Sequence, residues 1–303
     1  MNIAMDIHNI ESPDDAITLL RTWREDTVRC SDDVVSIWEE ILSDPQVDLG
    51  DERWMILEQV AVAAMDVDRK DIVTYCLRQL RSHFDHKSFR LTRLEAMRAE
   101  MLEKWDLATD ILEQILEEDG SNSQARKRTI AIHLARGENI KAINALTKYL
   151  EDFMNDGEAW MELCELYILE QDYTKAAFCC EELILQNPHN HLYYQKFADI
   201  KYTQGGLDNI ALAKTYYCQA VKINSGNMRA LYGLLLSVSQ LASSPKTKAE
   251  EKAKHNKTID WATKKIVNNY KSKLDGNKEG ISNSRRNEIE TLIELCDNKF
   301  ISV

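Results

Sequence analysis

His189 and His191 are the first residues of this 303-residue chain whose types and spacing suggest chemistry. They lie two positions apart beside Pro188, and imidazoles on one side of an extended loop can share a metal ion. No cysteine or carboxylate cluster of ligand spacing accompanies them, so we predict no metal site. We expect instead a turn whose histidine side chains cap helix ends or pack on the next helix pair.

Cys179 and Cys180 are a second candidate, because a thiolate can act as a nucleophile. A reactive thiol needs a base and an accessible, polarised environment, and nothing nearby in the sequence supplies them. We therefore interpret both as small buried packing residues. Gly205 and Gly206 lack the preceding strand and the Lys-Ser/Thr ending of a phosphate-binding loop. The sequence thus predicts no catalytic and no cofactor-binding residues, and we do not expect an enzyme.

The composition favours a helical protein that does not bind nucleic acid and does not span a membrane. Four Pro and ten Gly are too few for the turns of a many-stranded β fold, and 44% hydrophobic residues suffice for a core. A net charge of −12 disfavours a sequence-independent grip on phosphate backbones. The longest nearly apolar run, 230–242, is interrupted by polar residues and is too short to span a membrane.

The elements that must position any site come from an internal repeat, whose clearest unit covers the 34 residues 157–190. Its defining positions are Trp160, Leu163, Cys164, Tyr167, Ala176 and Pro188. The small residues let two helices approach closely, and the proline cannot continue a helix. This layout is typical of a tetratricopeptide unit, a pair of antiparallel helices.

Shifts of 34 residues carry small residues onto equivalent positions in neighbouring units, except that the helix carrying Ala213 and Ala220 fits only after three extra residues in the turn at 203–209. These positions are Ala96, Ala108, Ala142, Ala198, Ala213 and Ala220. We predict an all-α tetratricopeptide α-solenoid, a right-handed superhelix of helix-turn-helix units with helical caps. The predicted parts are an N-terminal helical cap at 1–50, a divergent helical repeat at 51–88, an array of about four repeats at 89–242, a charged insertion at 243–257 and C-terminal helices with a tail at 258–303.

The repeat register also predicts an inner face that partners can contact. Its residues are Met161, Glu165, Ile168, Leu169, Gln195, Asp199, Tyr202, Arg229, Tyr232 and Leu236. Glu165 and Asp199 stand at neighbouring inner positions, where they would repel an acidic C-terminal peptide. We expect a mixed apolar and acidic groove that suits a segment carrying Lys or Arg. The segment 243–303 has 13 basic and 9 acidic residues, so its lysine-rich insertion either approaches anionic lipid or an acidic subunit, or is a solvated loop.

Two sequence runs carry a more specific resemblance. Residues 187–193 read Asn-Pro-His-Asn-His-Leu-Tyr and residues 201–206 read Lys-Tyr-Thr-Gln-Gly-Gly, neither of which repeat packing requires. By these two runs and by further matches across 54–242, the chain resembles the family of subunit 2 of the endoplasmic reticulum membrane protein complex.

That resemblance implies a non-catalytic scaffold, peripheral on the cytosolic face of the endoplasmic reticulum membrane. Its implied partners are the other subunits of the complex, both soluble and membrane-embedded, and the complex inserts tail-anchored and multipass proteins. The alternative that remains open is a chaperone adaptor whose repeats bind C-terminal peptides.

Overall fold

The computed structural model describes residues 10, 12–85, 88–276 and 288–294, without the side chains of 273–276. Within those ranges the chain forms fourteen α-helices and a short helical stretch at 288–294, and it contains no β-strand. The backbone contacts divide the chain into two compact units, Met1–Ala145 and Leu146–Val303, which we call unit 1 and unit 2. The predicted division into cap, divergent repeat and array stays a prediction.

Unit 1 is built from antiparallel helix pairs that follow two N-terminal helices. The helices are α1 (Pro13–Glu25), α2 (Ser31–Ile37, continued by a π-helical turn at Trp38–Leu42), α3 (Arg53–Asp66), α4 (Lys70–His83), α5 (Phe89–Met101), α6 (Trp105–Glu118) and α7 (Ser123–Ala135). A 3-10 turn at Gly50–Glu52 precedes α3, and α8 (Asn139–Asp152) contains the division between the units. Helix α1 begins sharply because the Ser12 hydroxyl accepts a hydrogen bond from the Asp15 amide and Pro13 fits the first helical position.

Unit 2 continues the same arrangement with three helix pairs. The helices are α9 (Gly157–Leu169), α10 (Tyr173–Gln186), α11 (His191–Gln204), α12 (Leu207–Ile223), α13 (Met228–Ser243) and α14 (Ala249–Gly276). The side chains of Asp156, Asn190 and Asn227 cap α9, α11 and α13 by accepting a hydrogen bond from a first-turn backbone amide. An Asn or Asp therefore begins the first helix of each of these pairs, which is the residue type that helix starts favour.

A residue with positive φ recurs at the turn inside successive helix pairs. The residues are Asp68, Glu103, Gly137, Gln171 and Gly205, with φ between 55° and 74° and a spacing of 34 or 35 positions. This left-handed conformation ends the first helix of a pair, and glycine adopts it most easily. Three of the five positions are not glycine, so the period is clearer in the backbone than in the sequence.

Nine of the twelve predicted structural positions lie in the core, where the helices of a pair cross. All seven alanines of the repeat register, Ala96, Ala108, Ala142, Ala176, Ala198, Ala213 and Ala220, have no exposed surface. Leu163 and Cys164 are buried beside them, whereas Trp160 and Tyr167 are partly exposed and Pro188 is exposed in the turn after α10. Small side chains at these crossings allow the close helix approach from which the repeat was predicted.

The last long helix differs from the sequence expectation. Its start was expected near Thr258, but α14 begins at Ala249, so only 244–248 of the predicted insertion separates it from α13. The physical reason is local: no Gly or Pro occurs between 246 and 275, Glu250 and Glu251 suit the positive end of the helix dipole, and Glu250 pairs with Lys254 at 3.1 Å. Of the tail that follows α14 in the predicted segment 258–303, the described part 288–294 is helical, and the rest lies outside the described residues.

None of the helices described between residues 12 and 294 has both the length and the apolar composition needed to cross a membrane.

Candidate interaction surface

The predicted inner-face residues all lie on the first helices of the pairs in unit 2. Met161, Glu165, Ile168 and Leu169 are on α9, Gln195, Asp199 and Tyr202 are on α11, and Arg229, Tyr232 and Leu236 are on α13. Glu165, Leu169, Arg229 and Leu236 are exposed and the other six are partly buried. None is fully buried, so every one of them retains surface that a partner could contact.

Asp199 on α11 connects its own helix to α12 and α13. Its Oδ1 accepts a hydrogen bond of 2.6 Å from the Tyr217 hydroxyl, and its Oδ2 accepts one of 2.9 Å from Arg229 Nε. Arg229 keeps 73% of its side chain exposed, whereas Asp199 keeps 25%. The structure thus brings Asp199 and Arg229 together and leaves the arginine able to reach a further partner.

Tyr217 is a positioning residue that the sequence analysis did not single out. Its side chain is 2% exposed, and burial raises the pKa of its hydroxyl, which the hydrogen bond to Asp199 raises further. A methyl group added at Gly233 would lie 2.4 Å from the Tyr217 ring, so α13 and the ring are in direct contact there. A glycine inside the apolar run Ala-Leu-Tyr-Gly-Leu-Leu-Leu was the available signal for this close approach.

Glu165 and Asp199 each have a basic partner that the sequence analysis did not foresee. Glu165 pairs with Lys196 at 2.8 Å, as Asp199 pairs with Arg229, and each base lies about one repeat after its acid, on the next first helix. These pairs partly neutralise the two carboxylates, and the mixed apolar and acidic groove stays a prediction. The two tyrosines of the set lie against the core, and the Tyr232 hydroxyl is 3.3 Å from that of Tyr270.

Unit 1 repeats this acid-before-base order, which sequence reasoning missed. Glu58 on α3 pairs with Arg90 on α5 at 2.5 Å, and Glu100 on α5 accepts two hydrogen bonds of 2.8 and 2.7 Å from Arg128 on α7. We call these four contacts the inner-face pairs: Glu58–Arg90, Glu100–Arg128, Glu165–Lys196 and Asp199–Arg229. The missed signal is an acidic residue followed by a basic one roughly one repeat later.

An open groove of about 750 Å³ adjoins the inner-face pairs of unit 1. Met55, Met97 and Met101 line it together with Arg90 and Arg128, and Met55 is 46% exposed. Methionine side chains adapt to many partner shapes, and arginine adds directional donors. The groove, which we call the unit-1 groove, was not predicted, because it depends on residues from α1, α2, α3, α5 and α7 meeting in space.

The residues that first suggested chemistry have structural surroundings. The two ring nitrogens of His191 are each 2.8 Å from a side-chain amide, that of Asn224 or that of Asn227, in the turn before α13. Cys179 and Cys180 are buried, which confirms their interpretation as packing residues, and burial raises the pKa of Cys179 to about 12. Across the part of the chain that is described, no three His, Cys, Asp or Glu residues are grouped to hold a metal ion.

Comparisons with known proteins agree on one family. A family model described as an EMC2 TPR-like repeat domain matches residues 81–207. A protein of Xenopus tropicalis named ER membrane protein complex subunit 2 is 50% identical over 251 residues, covering 83% of this chain and 84% of that protein. A protein of the same name from Dictyostelium discoideum is 30% identical, covering 80% and 75%.

Two further likenesses concern the repeats. TPR repeat protein oca3 of Schizosaccharomyces pombe is 26% identical over 252 residues, covering 81% of this chain and 88% of that protein. The crystal structure of the C-terminal part of a TPR repeat-containing protein from Cytophaga hutchinsonii superimposes with a TM-score of 0.56 at 14% identity, covering 84% and 93% of the two chains. With the helix pairs above, these likenesses confirm the predicted all-α tetratricopeptide α-solenoid class, and the chain belongs to the family of ER membrane protein complex subunit 2.

Proposed function

We propose that the chain is a non-catalytic scaffold subunit on the cytosolic face of the endoplasmic reticulum membrane. Its complex would insert tail-anchored and multipass proteins, and the chain would hold soluble and membrane-embedded subunits together. Family membership supports a place in such a complex. The observation that carries the scaffold role is the set of inner-face pairs, which link successive first helices within each unit.

The exposed apolar residues make the inner face suited to binding protein segments. Leu169 is 69% exposed and Leu236 is 50% exposed. Single exposed leucines are common, but here both stand on the predicted inner face of unit 2, on first helices that also carry the Glu165–Lys196 and Asp199–Arg229 pairs. Burying such side chains on a partner contributes roughly 25 cal/mol per Å² of apolar surface removed from water. In the proposed mechanism, the exposed leucines make apolar contacts with the bound segment. The neighbouring ion pairs set the register in which that segment binds.

The test is affinity purification of the full chain from detergent-solubilised membranes. We expect multipass and soluble subunits to be recovered together with it, and recovery of the chain only as a free monomer would contradict the proposal. A Leu169→Lys, Leu236→Lys variant should lose at least one subunit. The matched control is Leu185→Lys, Leu212→Lys, two exposed leucines on the second helices α10 and α12.

The alternative, a chaperone adaptor that binds C-terminal peptides, keeps a specific observation in its favour. Because Glu165 and Asp199 are paired with bases, they repel an acidic peptide less than the sequence suggested. Titration of the purified chain with acidic peptides carrying a free or an amidated C-terminus separates the two functions. A clamp for chain ends requires the free carboxylate, whereas a scaffold that binds internal segments does not.

A further inference from the structure

Three arginines converge on the inner face of unit 1, opposite only two glutamates. Arg90 and Arg93 lie on α5 and Arg128 on α7. Arg90 is paired with Glu58, and Arg128 donates two hydrogen bonds to the carboxylate of Glu100. The remaining guanidinium, that of Arg93, has its nearest carboxylate oxygen on Glu58 at 3.9 Å, which is beyond hydrogen-bonding distance.

Arg93 is therefore a cation with unused donors. Its side chain is 27% exposed, and it makes no hydrogen bond to the described part of the chain. Burial lowers the pKa of Arg93, Glu58 raises it, and the positive charges of Arg90 and Arg128 lower it again. A guanidinium has five N–H donors in a planar fork that matches a carboxylate, so an arriving anion would both use these donors and offset the mutual repulsion of the arginines.

The surroundings of Arg93 are shaped for more than a free ion. A cavity of about 250 Å³ adjoins it, lined by Phe89, Arg90 and Ile115 among others. Arg90 also borders the unit-1 groove with its methionines, so cationic and apolar surfaces are continuous. Inorganic phosphate would use only the cationic part, whereas a peptide with carboxylate and apolar side chains would use both.

The charge of the rest of unit 1 favours the same choice. Residues 1–145 contain 29 acidic and 18 basic residues, so most of this unit repels negatively charged partners. The arginine trio is a local exception on an acidic body, and such a contrast steers an acidic segment to one place. An anionic membrane would meet the acidic body before it reached a recessed arginine.

We propose that Arg93, with Arg90 and Arg128, binds a carboxylate side chain of an acidic and otherwise apolar segment of a partner protein. The apolar side chains of that segment lie in the unit-1 groove against Met55 and Met97. This inference rests on the proposed scaffold function and names the chemistry of one bound segment. The acidic segment proposed for unit 1 differs from the segment carrying Lys or Arg that the sequence predicts for the inner face of unit 2.

Peptide binding to the purified full chain tests the inference without the rest of the complex. The probe is a fluorescent peptide of about 12 residues composed of glutamate and leucine, and its control has glutamine in place of every glutamate. Fluorescence anisotropy should show binding of the acidic peptide, at least about tenfold weaker binding of the glutamine peptide, and weakening by salt. No binding of the acidic peptide at about 1 mM, or equal binding of both peptides, would overturn it.

Two substitutions locate the site. Arg93→Gln should weaken acidic-peptide binding about tenfold, and because Arg93 makes no hydrogen bond its loss should leave the circular dichroism spectrum unchanged. Arg78→Gln, an exposed arginine on α4, is the matched control and should bind like the wild type. Equal weakening by both variants, or full competition by inorganic phosphate or phosphatidylserine vesicles at the peptide's concentration, would refute a specific peptide site. If the affinity purification recovers the other subunits but the acidic peptide does not bind, this inference alone is contradicted. If the wild-type chain recovers no other subunit, the proposed function is contradicted.

Discussion

Replacing Gly233 by alanine should destabilise unit 2, although the same change in most helix interiors is stabilising. Alanine ordinarily gains about 0.5–1 kcal/mol over glycine within a helix. Here the added methyl group would lie 2.4 Å from Cε1 and Cζ of the Tyr217 ring, which is 2% exposed. Overpacking of this kind costs about 1–3 kcal/mol, so we expect a net loss of about 0.5–2 kcal/mol.

A second effect increases that loss if the ring moves. The Tyr217 hydroxyl donates a 2.6 Å hydrogen bond to Asp199, and hydrogen bonds to charged groups contribute about 1.5–3 kcal/mol. Displacement of the ring would lengthen this bond and free Asp199 to reorient toward Arg229. The stability of the core and the geometry of the candidate surface are therefore coupled through one glycine.

Urea unfolding followed by circular dichroism measures the effect as a change in the free energy of unfolding. The control is Gly120→Ala, where the nearest atom to the added methyl would be the Leu116 carbonyl oxygen at 3.6 Å, an ordinary contact, and the change should stay within about 0.5 kcal/mol. Combining Gly233→Ala with Tyr217→Leu should cost less than the two single changes added together, because the smaller side chain relieves the clash. A stabilised Gly233→Ala variant, or strict additivity, would refute the close-contact reasoning.

Three further outcomes follow from burial and backbone conformation. The hydroxyl pKa of Tyr217 is raised above its ordinary value of 10.0, so the neutral hydroxyl stabilises the folded state fully below pH 10 and this stabilisation is lost as the pH rises further. Urea unfolding at increasing pH above 10 should therefore show a steeper fall in the free energy of unfolding for the wild type than for Tyr217→Phe. Gln171 has φ of 59°, so Gln171→Gly should raise the free energy of unfolding by up to about 1 kcal/mol, and a decrease would contradict the left-handed conformation. Burial raises the pKa of both Cys179, to about 12, and Cys218, but Cys179 is 1% exposed whereas Cys218 is exposed. Mass spectrometry after iodoacetamide treatment at about pH 8 should therefore find Cys218 alkylated well before Cys179, and the reverse order would be inconsistent with this difference in exposure.

The features that sequence predicted well are those with a local cause. Ala108, Ala142 and Ala176 recur every 34 residues because each lies where the two helices of a pair cross, and the crossing is a property of one repeat. The start of α14 was misplaced for the opposite reason: a stretch rich in lysine and glutamate was interpreted as a loop, although such residues are good helix formers when no breaker interrupts them.

The features that sequence missed depend on geometry between repeats. Nothing in the residue types says that Arg128 meets Glu100 and that Arg93 meets no carboxylate closely, since that depends on the direction of side chains from two helices. Tyr217 lies in the core, and the reach of its hydroxyl to Asp199 depends on how closely α13 approaches its ring at Gly233. A repeat period predicts neighbours, and atomic distances decide which neighbours interact.

The inner-face pairs also change what the overall charge means for binding. The chain carries a net charge of −12, yet the inner-face carboxylates of both units have basic partners. The excess negative charge must then lie mainly elsewhere in the chain, so net charge is a poor guide to the chemistry of the inner face. With Arg93 in excess in unit 1 and the Asp199–Arg229 pair balanced in unit 2, the two units offer different electrostatics, and under the proposed scaffold function this difference would let one chain select different segments by charge as well as by shape.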